Sequence, residues 1–219
     1  MNVITLPVGQ LQTNCYVVVD RQTSKAFIID PGDDADYIQR IITDEGVKPT
    51  QIIATHGHFD HILAVTELEL AYKIPFSVHP KDEFLINSMQ ESARYFTGIN
   101  PGPPPKISNS LKQGQKIALG KAQFTIIETP GHTPGSICLY CKTENVVFVG
   151  DLLFADGGVG RTDFSYSNTE NLHHSLKMIL TLPGKTVVLS GHGPETTISK
   201  EREYHKKSFS WSELLEKGR

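Results

Sequence analysis

The chain has 219 residues, 38% hydrophobic and 21% charged, with 21 Lys and Arg against 24 Asp and Glu for a formal charge of −3. This is the balance of an ordinary globular protein; it excludes collagen-like, disordered and disulfide-scaffold chains, and without a long basic run it leaves no electrostatic footprint for nucleic acid. No apolar run approaches the roughly 20 residues of a membrane-spanning helix, and the opening MNVITLPVGQ carries no basic leader. The expectation is a cytoplasmic protein without membrane partners, folded as one domain over 1–219.

Taken in order, NCYVVVD (14–20) and AFIID (26–30) are β-rich and flank the polar turn RQTSK, which predicts an antiparallel hairpin. ADYIQRIITDEG (35–46) has apolar residues at helical intervals and a closing glycine, and QIIAT (51–55) returns to strand. A helix is expected over ILAVTELELAYK (62–73) and a strand over PFSVH (75–79). Residues 81–114 divide: Phe84, Leu85, Met89, Tyr95 and Phe96 allow a helix with an apolar face, whereas Pro101 and Pro103 to Pro105 forbid regular structure behind it. KIAL, AQFTIIET, SICLYC, NVVFVG and TVVLSG supply strands, and NTENLHHSLKMILTL (168–182) a helix with Asn168 or Thr169 as N-cap. Sheet and helix mixed in both halves, without a fixed repeat, predict sheet layered against helices.

Within this frame, THGHFDH (55–61) crowds His56, His58, Asp60 and His61 between the apolar runs QIIA and ILAV. A lone histidine is usually a surface or satisfied core residue, but the cluster combines ligand types suited to zinc and related divalent ions. Three further strands end in glycine plus a ligand-type residue: His132 in TPGHTPGS, Asp151 in VFVGDLLF and His192 in VVLSGHGP. Catalytic groups are commonly borne on loops at the ends of rigid strands, and a buried Asp151 needs a cation or strong hydrogen bonds to offset its desolvation. Gly131, Gly150 and Gly191, each preceding a ligand, predict strained turns. His79, His173, His174 and His205 fall outside the pattern and are expected to be structural. Cys138 and Cys141 have CxxC spacing, but no second CxxC accompanies them; with Cys15 they are expected to pack as small hydrophobes.

HGHFDH, followed by His132, Asp151 and His192, resembles the HxHxDH pattern of the metallo-β-lactamase superfamily, and the resemblance runs from IIDPG to GHGPETT. It implies an α/β fold, the four-layer αββα sandwich. It also implies two divalent metal ions, zinc in the first instance with iron or manganese as alternatives. His56, His58 and His132 would hold one ion, Asp60, His61 and His192 the other, and Asp151 would bridge them. Asp30 in IIDPG resembles the family's strand-end aspartate that braces the ligand loops, as outer carboxylates orient ligands, or else it caps a helix or turn. Two metals ~3.5–4 Å apart can share a hydroxide and stabilise a developing oxyanion, which gives Asp60 and Asp151 a catalytic role through the metals and removes the need for a serine or cysteine nucleophile.

Within the superfamily, GDLLFADGGVGRTDF and GHGPETTISKE are similar to the small glyoxalase II-like hydrolases, which implies a small-molecule thioester substrate such as S-lactoylglutathione. The sequence departs from that group at Val159, where a cysteine is usual, and too little chain follows His192 for its C-terminal helical domain. Arg161 is a candidate for an anionic substrate group, because its planar guanidinium suits carboxylate, or else a salt-bridge partner within RTDF. Residues 94 to 106 are expected either to form one wall of the entrance, with Tyr95 or Phe96 touching the leaving group, since long ordered loops beside a site are often functional, or to belong to a helix and stiff connector that only cover the sheet. A persulfide dioxygenase using one iron, a metal-dependent lactonase and a non-enzymatic metal-binding module are the competing readings.

Overall fold

In the computed structural model, which describes residues 1–98 and 100–206, the strands form two six-stranded sheets. The first has β1 (Asn2–Val8), β2 (Thr13–Asp20), β3 (Lys25–Ile29), β4 (Lys48–Ile53), β5 (Phe76–Val78) and β6 (Asn109–Ser110) in chain order. β1 to β3 pair antiparallel, and β3 to β6 pair parallel. The second runs β12 (Thr196–Thr197), β11 (Val187–Ser190), β10 (Val146–Gly150), β9 (Ile137–Cys141), β8 (Ala122–Glu128), β7 (Lys116–Leu119) and is antiparallel except for the β10–β11 pair.

Side-chain alternation explains why the sheets stack. Along β2, Val17 and Val19 join the core beneath the helices, whereas Tyr16 and Val18 face the other way and meet Phe27, Ile53, Phe124 and Phe148 between the sheets. Along β10, Val147 and Val149 turn outward onto Leu172, Leu176 and Ile179, while Phe148 turns inward. Strands apolar on both faces must be covered on both. Helices α1 (Ala35–Asp44), α2 (Val65–Tyr72), α3 (Glu83–Asn87) and α4 (Met89–Thr97) lie on the first sheet's side and α5 (Thr169–Ile179) and α6 (Ile198–His205) on the second's. Three cores separate four layers, the αββα sandwich expected from the sequence.

The expected hairpin is β2–β3, and the side chain of Asn168 caps α5 by accepting from the Asn171 amide. β1 was not expected: it is a half-buried edge strand with Pro7 inside it, so its alternation is weak. Residues 81–114 contain two helices rather than one, broken at Ser88, and β6 lies beyond the prolines. Cys138 and Cys141, three apart on β9, face different cores, so CxxC spacing on this strand cannot bring the thiols together; all three cysteines are buried and free. No helix of the described residues is long and apolar enough to cross a membrane. Residues 207–219 of the expected 1–219 domain, and Ile99 of the expected entrance wall, lie outside the described residues.

Candidate metal centre

Seven side chains arrive at one edge of the sandwich from the ends of strands in both sheets. His56, His58, Asp60 and His61 follow β4, the last two in a short 3-10 turn over Phe59–His61. His132 follows β8, Asp151 follows β10, and His192 follows β11. The sheets are tied together beside the site, where the Asn14 amide donates to Gly191 O (2.7 Å) and the Asn14 side chain donates to Ser190 O (3.0 Å). Two glycines make the close packing possible. Gly150 lies in the left-handed region (φ +53°), where a Cβ would also approach Thr55 Oγ1 to 2.3 Å. At Gly191 space decides instead, because a Cβ would stand 2.1 Å from Asp151 Oδ1.

Three donor groups result, each within 4.8 Å: His56, His58 and His132; His56, His61 and Asp151; and Asp60, His61 and His192. The first and third are the two triads that the family resemblance implied. Asp151 stands among the histidines, with Oδ1 3.4 Å from His61 Nε2 and Oδ2 3.5 Å from His132 Nε2 and 3.7 Å from His192 Nε2. Asp60 Oδ2 lies 3.4 Å from His192 Nε2 and 3.8 Å from His61 Nε2.

Every imidazole turns one nitrogen inward and the other onto an outer oxygen. His132 Nδ1 donates to Arg161 O (2.8 Å) and His192 Nδ1 to Leu11 O (3.1 Å), since a carbonyl can only accept. Thr55 Oγ1 gives its proton to Asp30 Oδ2 (2.7 Å), so His56 Nδ1, 3.1 Å away, donates to Thr55. His58 Nε2 pairs with Tyr166 Oη (2.8 Å), and His61 Nδ1 lies 3.0 Å from Asp30 Oδ2. The inner nitrogens of His56 and His132 are therefore lone pairs, both aimed at His58 Nδ1 from 3.0 and 2.9 Å. One proton cannot satisfy both directions well, whereas a cation can. His61 Nε2 and Asp151 Oδ1 are buried without a hydrogen-bond partner among the described residues. Such groups are costly to bury, and the donor set of neutral imidazole and carboxylate is one that a divalent transition metal satisfies.

The electrostatics of these side chains point the same way. Burial, with neighbouring His61 and His58, holds His56 well below the ordinary histidine range. Burial and His132 push His58 down to about 3, so both stay neutral and able to ligate. Burial would raise Asp60 and Asp151, but His61 and the other imidazoles outweigh it and hold both carboxyls below their usual range. His61 is raised: burial opposes its charge, yet Asp151, Asp30 and Asp60 more than compensate.

Above the cluster is a cavity of about 330 Å3, lined on its apolar side by Leu11, Phe59, Leu85, Phe96, Phe164 and Tyr166. Phe96 stacks on Phe59 at 5.8 Å, and Phe164 on Tyr166 at 5.2 Å. Tyr95 is not among the lining residues: it is 82% exposed and meets Phe96 edge-on. Arg161 reaches the lining, but its guanidinium makes two bonds to Asp163 (2.6 Å each) and lies 4.4 Å over the Phe164 ring. His79 is occupied by Glu128 (3.2 Å) and by the Lys81 amide. Tyr166 escaped the sequence reading because one tyrosine in a polar loop carries no pattern; Asp82, discussed below, escaped because HPKD resembles any turn.

With fold and site in view, the class is defined: residues 8–192 match the model of the metallo-beta-lactamase superfamily, and the chain belongs to that superfamily. Among curated proteins it is 34% identical over 206 residues to "Hydroxyacylglutathione hydrolase GloC" of Haemophilus influenzae, covering 92% of this chain and 95% of that protein. Among solved structures it is similar to the BLEG-1 B3 metallo-beta-lactamase (35% identity, TM-score 0.86, 92% of this chain and 97% of that one). It is likewise similar to TTHA1623 in a di-iron-bound form (34% identity, TM-score 0.83, 95% and 100%).

Proposed function

We propose that this chain is a metal-dependent hydrolase of small thioesters, with S-lactoylglutathione the first substrate to test, acting in the cytoplasm as one domain. The observation that carries the reading is the convergence of five histidines and two aspartates whose inner nitrogens and carboxylate oxygens face one another. The likeness to GloC supports the thioester class. His56, His58 and His132 would hold one metal, Asp60, His61 and His192 a second, with Asp151 shared. When bound, such a pair supplies a nucleophilic oxygen from water and Lewis-acid polarisation of the scissile carbonyl.

The rest is the work of the chain itself. Asp30, Thr55, Tyr166 and the carbonyls of Arg161 and Leu11 hold the five imidazoles in orientation. Phe59, Phe96, Phe164 and Tyr166 keep one side of the cavity dry and place a substrate's non-reacting portion. Zinc and iron both suit this donor set, and the di-iron relative makes iron as strong a candidate as zinc.

Elemental analysis of the purified protein, run beside turnover of S-lactoylglutathione and of a β-lactam, tests the reading. Up to two transition-metal ions per chain with thioester turnover is the expected result. A β-lactam hydrolysed in preference to every thioester would overturn the substrate class, and a metal-replete protein that turns over nothing would favour a binding module.

The entrance wall has its own test. Phe96→Ala should raise KM or reorder a thioester series by roughly tenfold, about 1.4 kcal/mol, with metal content as in the parent. Tyr95→Ala should do less, because that ring reaches the cavity only through Phe96. Variants that keep the parent's substrate profile and lose only thermal stability would assign this segment to core cover.

A further inference from the structure

Asp82, which ends the short turn Pro80–Asp82 before α3, is fully buried, yet no cationic side chain lies within ion-pair distance of it among the described residues. Its charge is met by three donors instead. Oδ2 accepts from the Gly57 amide (2.9 Å) and from Thr133 Oγ1 (2.7 Å), and Oδ1 accepts from the Gly135 amide (2.7 Å). Ser136 reinforces the arrangement, its Oγ lying 2.8 Å from Thr133 Oγ1 and accepting from the Thr133 amide at 3.2 Å.

The donors are placed with respect to the cluster. Gly57 lies between His56 and His58, and Thr133 follows His132, so one carboxylate grips both loops that carry the first triad. Neither loop could approach it with a side chain at the gripping point. A Cβ on Gly57 would stand 2.9 Å from Asp82 Cβ, and one on Gly135 would stand 2.6 Å from Asp82 Oδ1. The central glycine of HGH and the glycine of TPGS are thus explained by Asp82 and not by the ligands beside them. Asp30 grips the other half in the same way, through the Thr55 amide (2.7 Å), the Thr55 hydroxyl and His61. A buried carboxylate is expensive to keep without a cation, and the same span could have been packed with apolar residues; its presence at the junction of two ligand loops is what calls for a role.

We propose that Asp82 is the positioning residue of the first metal site, setting the separation of the His56–His58 loop from the His132 loop, and that it acts on this site alone. The proposal rests on the reading of His56, His58 and His132 as ligands.

The test uses full-length protein loaded with zinc and titrated with a competing chelator, read as two dissociation constants together with the metal-free melting temperature. Asp82→Ala removes all three bonds. Thr133→Val removes one and leaves the two amide bonds, so it serves even where the first variant fails to fold. Outer partners of metal ligands typically matter by 10- to 100-fold in affinity. Thr133→Val should therefore weaken one equivalent by roughly tenfold and Asp82→Ala by about 100-fold, with the other equivalent near the parental value. Thr133→Ser, which keeps the hydroxyl, should restore the parental constants. A merely structural role would lower the metal-free melting temperature and shift both equivalents alike, and that result overturns the proposal, as does a Thr133→Val protein indistinguishable from the parent. A parent that binds no metal would remove the ligand reading and this proposal with it.

Discussion

Replacing Asp151 by alanine is expected to release both metal equivalents together and to lower kcat/KM by at least about 10³-fold, or ~4 kcal/mol of transition-state stabilisation. The reason is its position. Its two oxygens lie 3.4 to 3.7 Å from His61, His132 and His192, which belong to both triads. Asp60, by contrast, lies near His61 and His192, members of its own triad. Asp60→Ala should consequently weaken one equivalent and spare the other, so the two variants form a matched pair. Metal content and chelator competition distinguish them without reference to any substrate. An Asp151→Ala protein that retains one tightly bound equivalent would refute the shared role and assign Asp151 to a single metal.

How much of this was legible in the sequence depends on where each signal is stored. The first loop of the candidate site was legible because four ligand-type residues fall within six positions, and the distant three because each ends an apolar strand with glycine before it. Sheet packed against helices was legible in the alternation of apolar strand and helix segments, with β2, β3 and β10 largely apolar on both faces, and the count of four layers came from the family resemblance. What escaped is stored in packing across long sequence separations. Asp82 meets Gly57 25 residues away and Gly135 53 residues away, and no local pattern announces either contact. Tyr166 reaches His58 across 108 residues. The neighbours Tyr95 and Phe96 were equivalent as letters; the phase of α4 separates them, sending one ring outward and the other onto Phe59. Gly191 was expected to relieve a strained turn, but it is Asp151 that leaves no room for a side chain.

The same crowding of imidazoles predicts how the metal-free protein responds to pH. His56 and His58 are held neutral in the folded state, well below the histidine value of about 6.5 that applies once the chain unfolds. Below that value the unfolded chain binds two protons that the folded chain refuses, and stability falls as pH falls, by up to about 1.4 kcal/mol per unit for each group. Between pH 6.5 and 5, where the unfolded histidines go from half to almost fully protonated, the pair should cost about 3 kcal/mol. His61 and His192 have the opposite sign: both are raised despite burial, His61 by Asp151 and the other carboxylates around it and His192 by its bond to Asp60. Their stabilisation is fully present below pH 6.5 and is lost as pH rises from there through their folded values. Metal-free protein should therefore be most stable near pH 6.5 and weaken on both sides. Metal-loaded protein should instead gain stability steadily from pH 5 to 8, because metals bind the deprotonated ligands. Melting curves of chelator-treated and metal-loaded samples across that range separate the two forms. His58→Gln should remove about half of the acid-side loss, since it deletes one of the two refused protons. A metal-free melting temperature that stays level from pH 6.5 to 5 would show that these imidazoles accept protons in place, and that the pocket is far wetter than its packing implies.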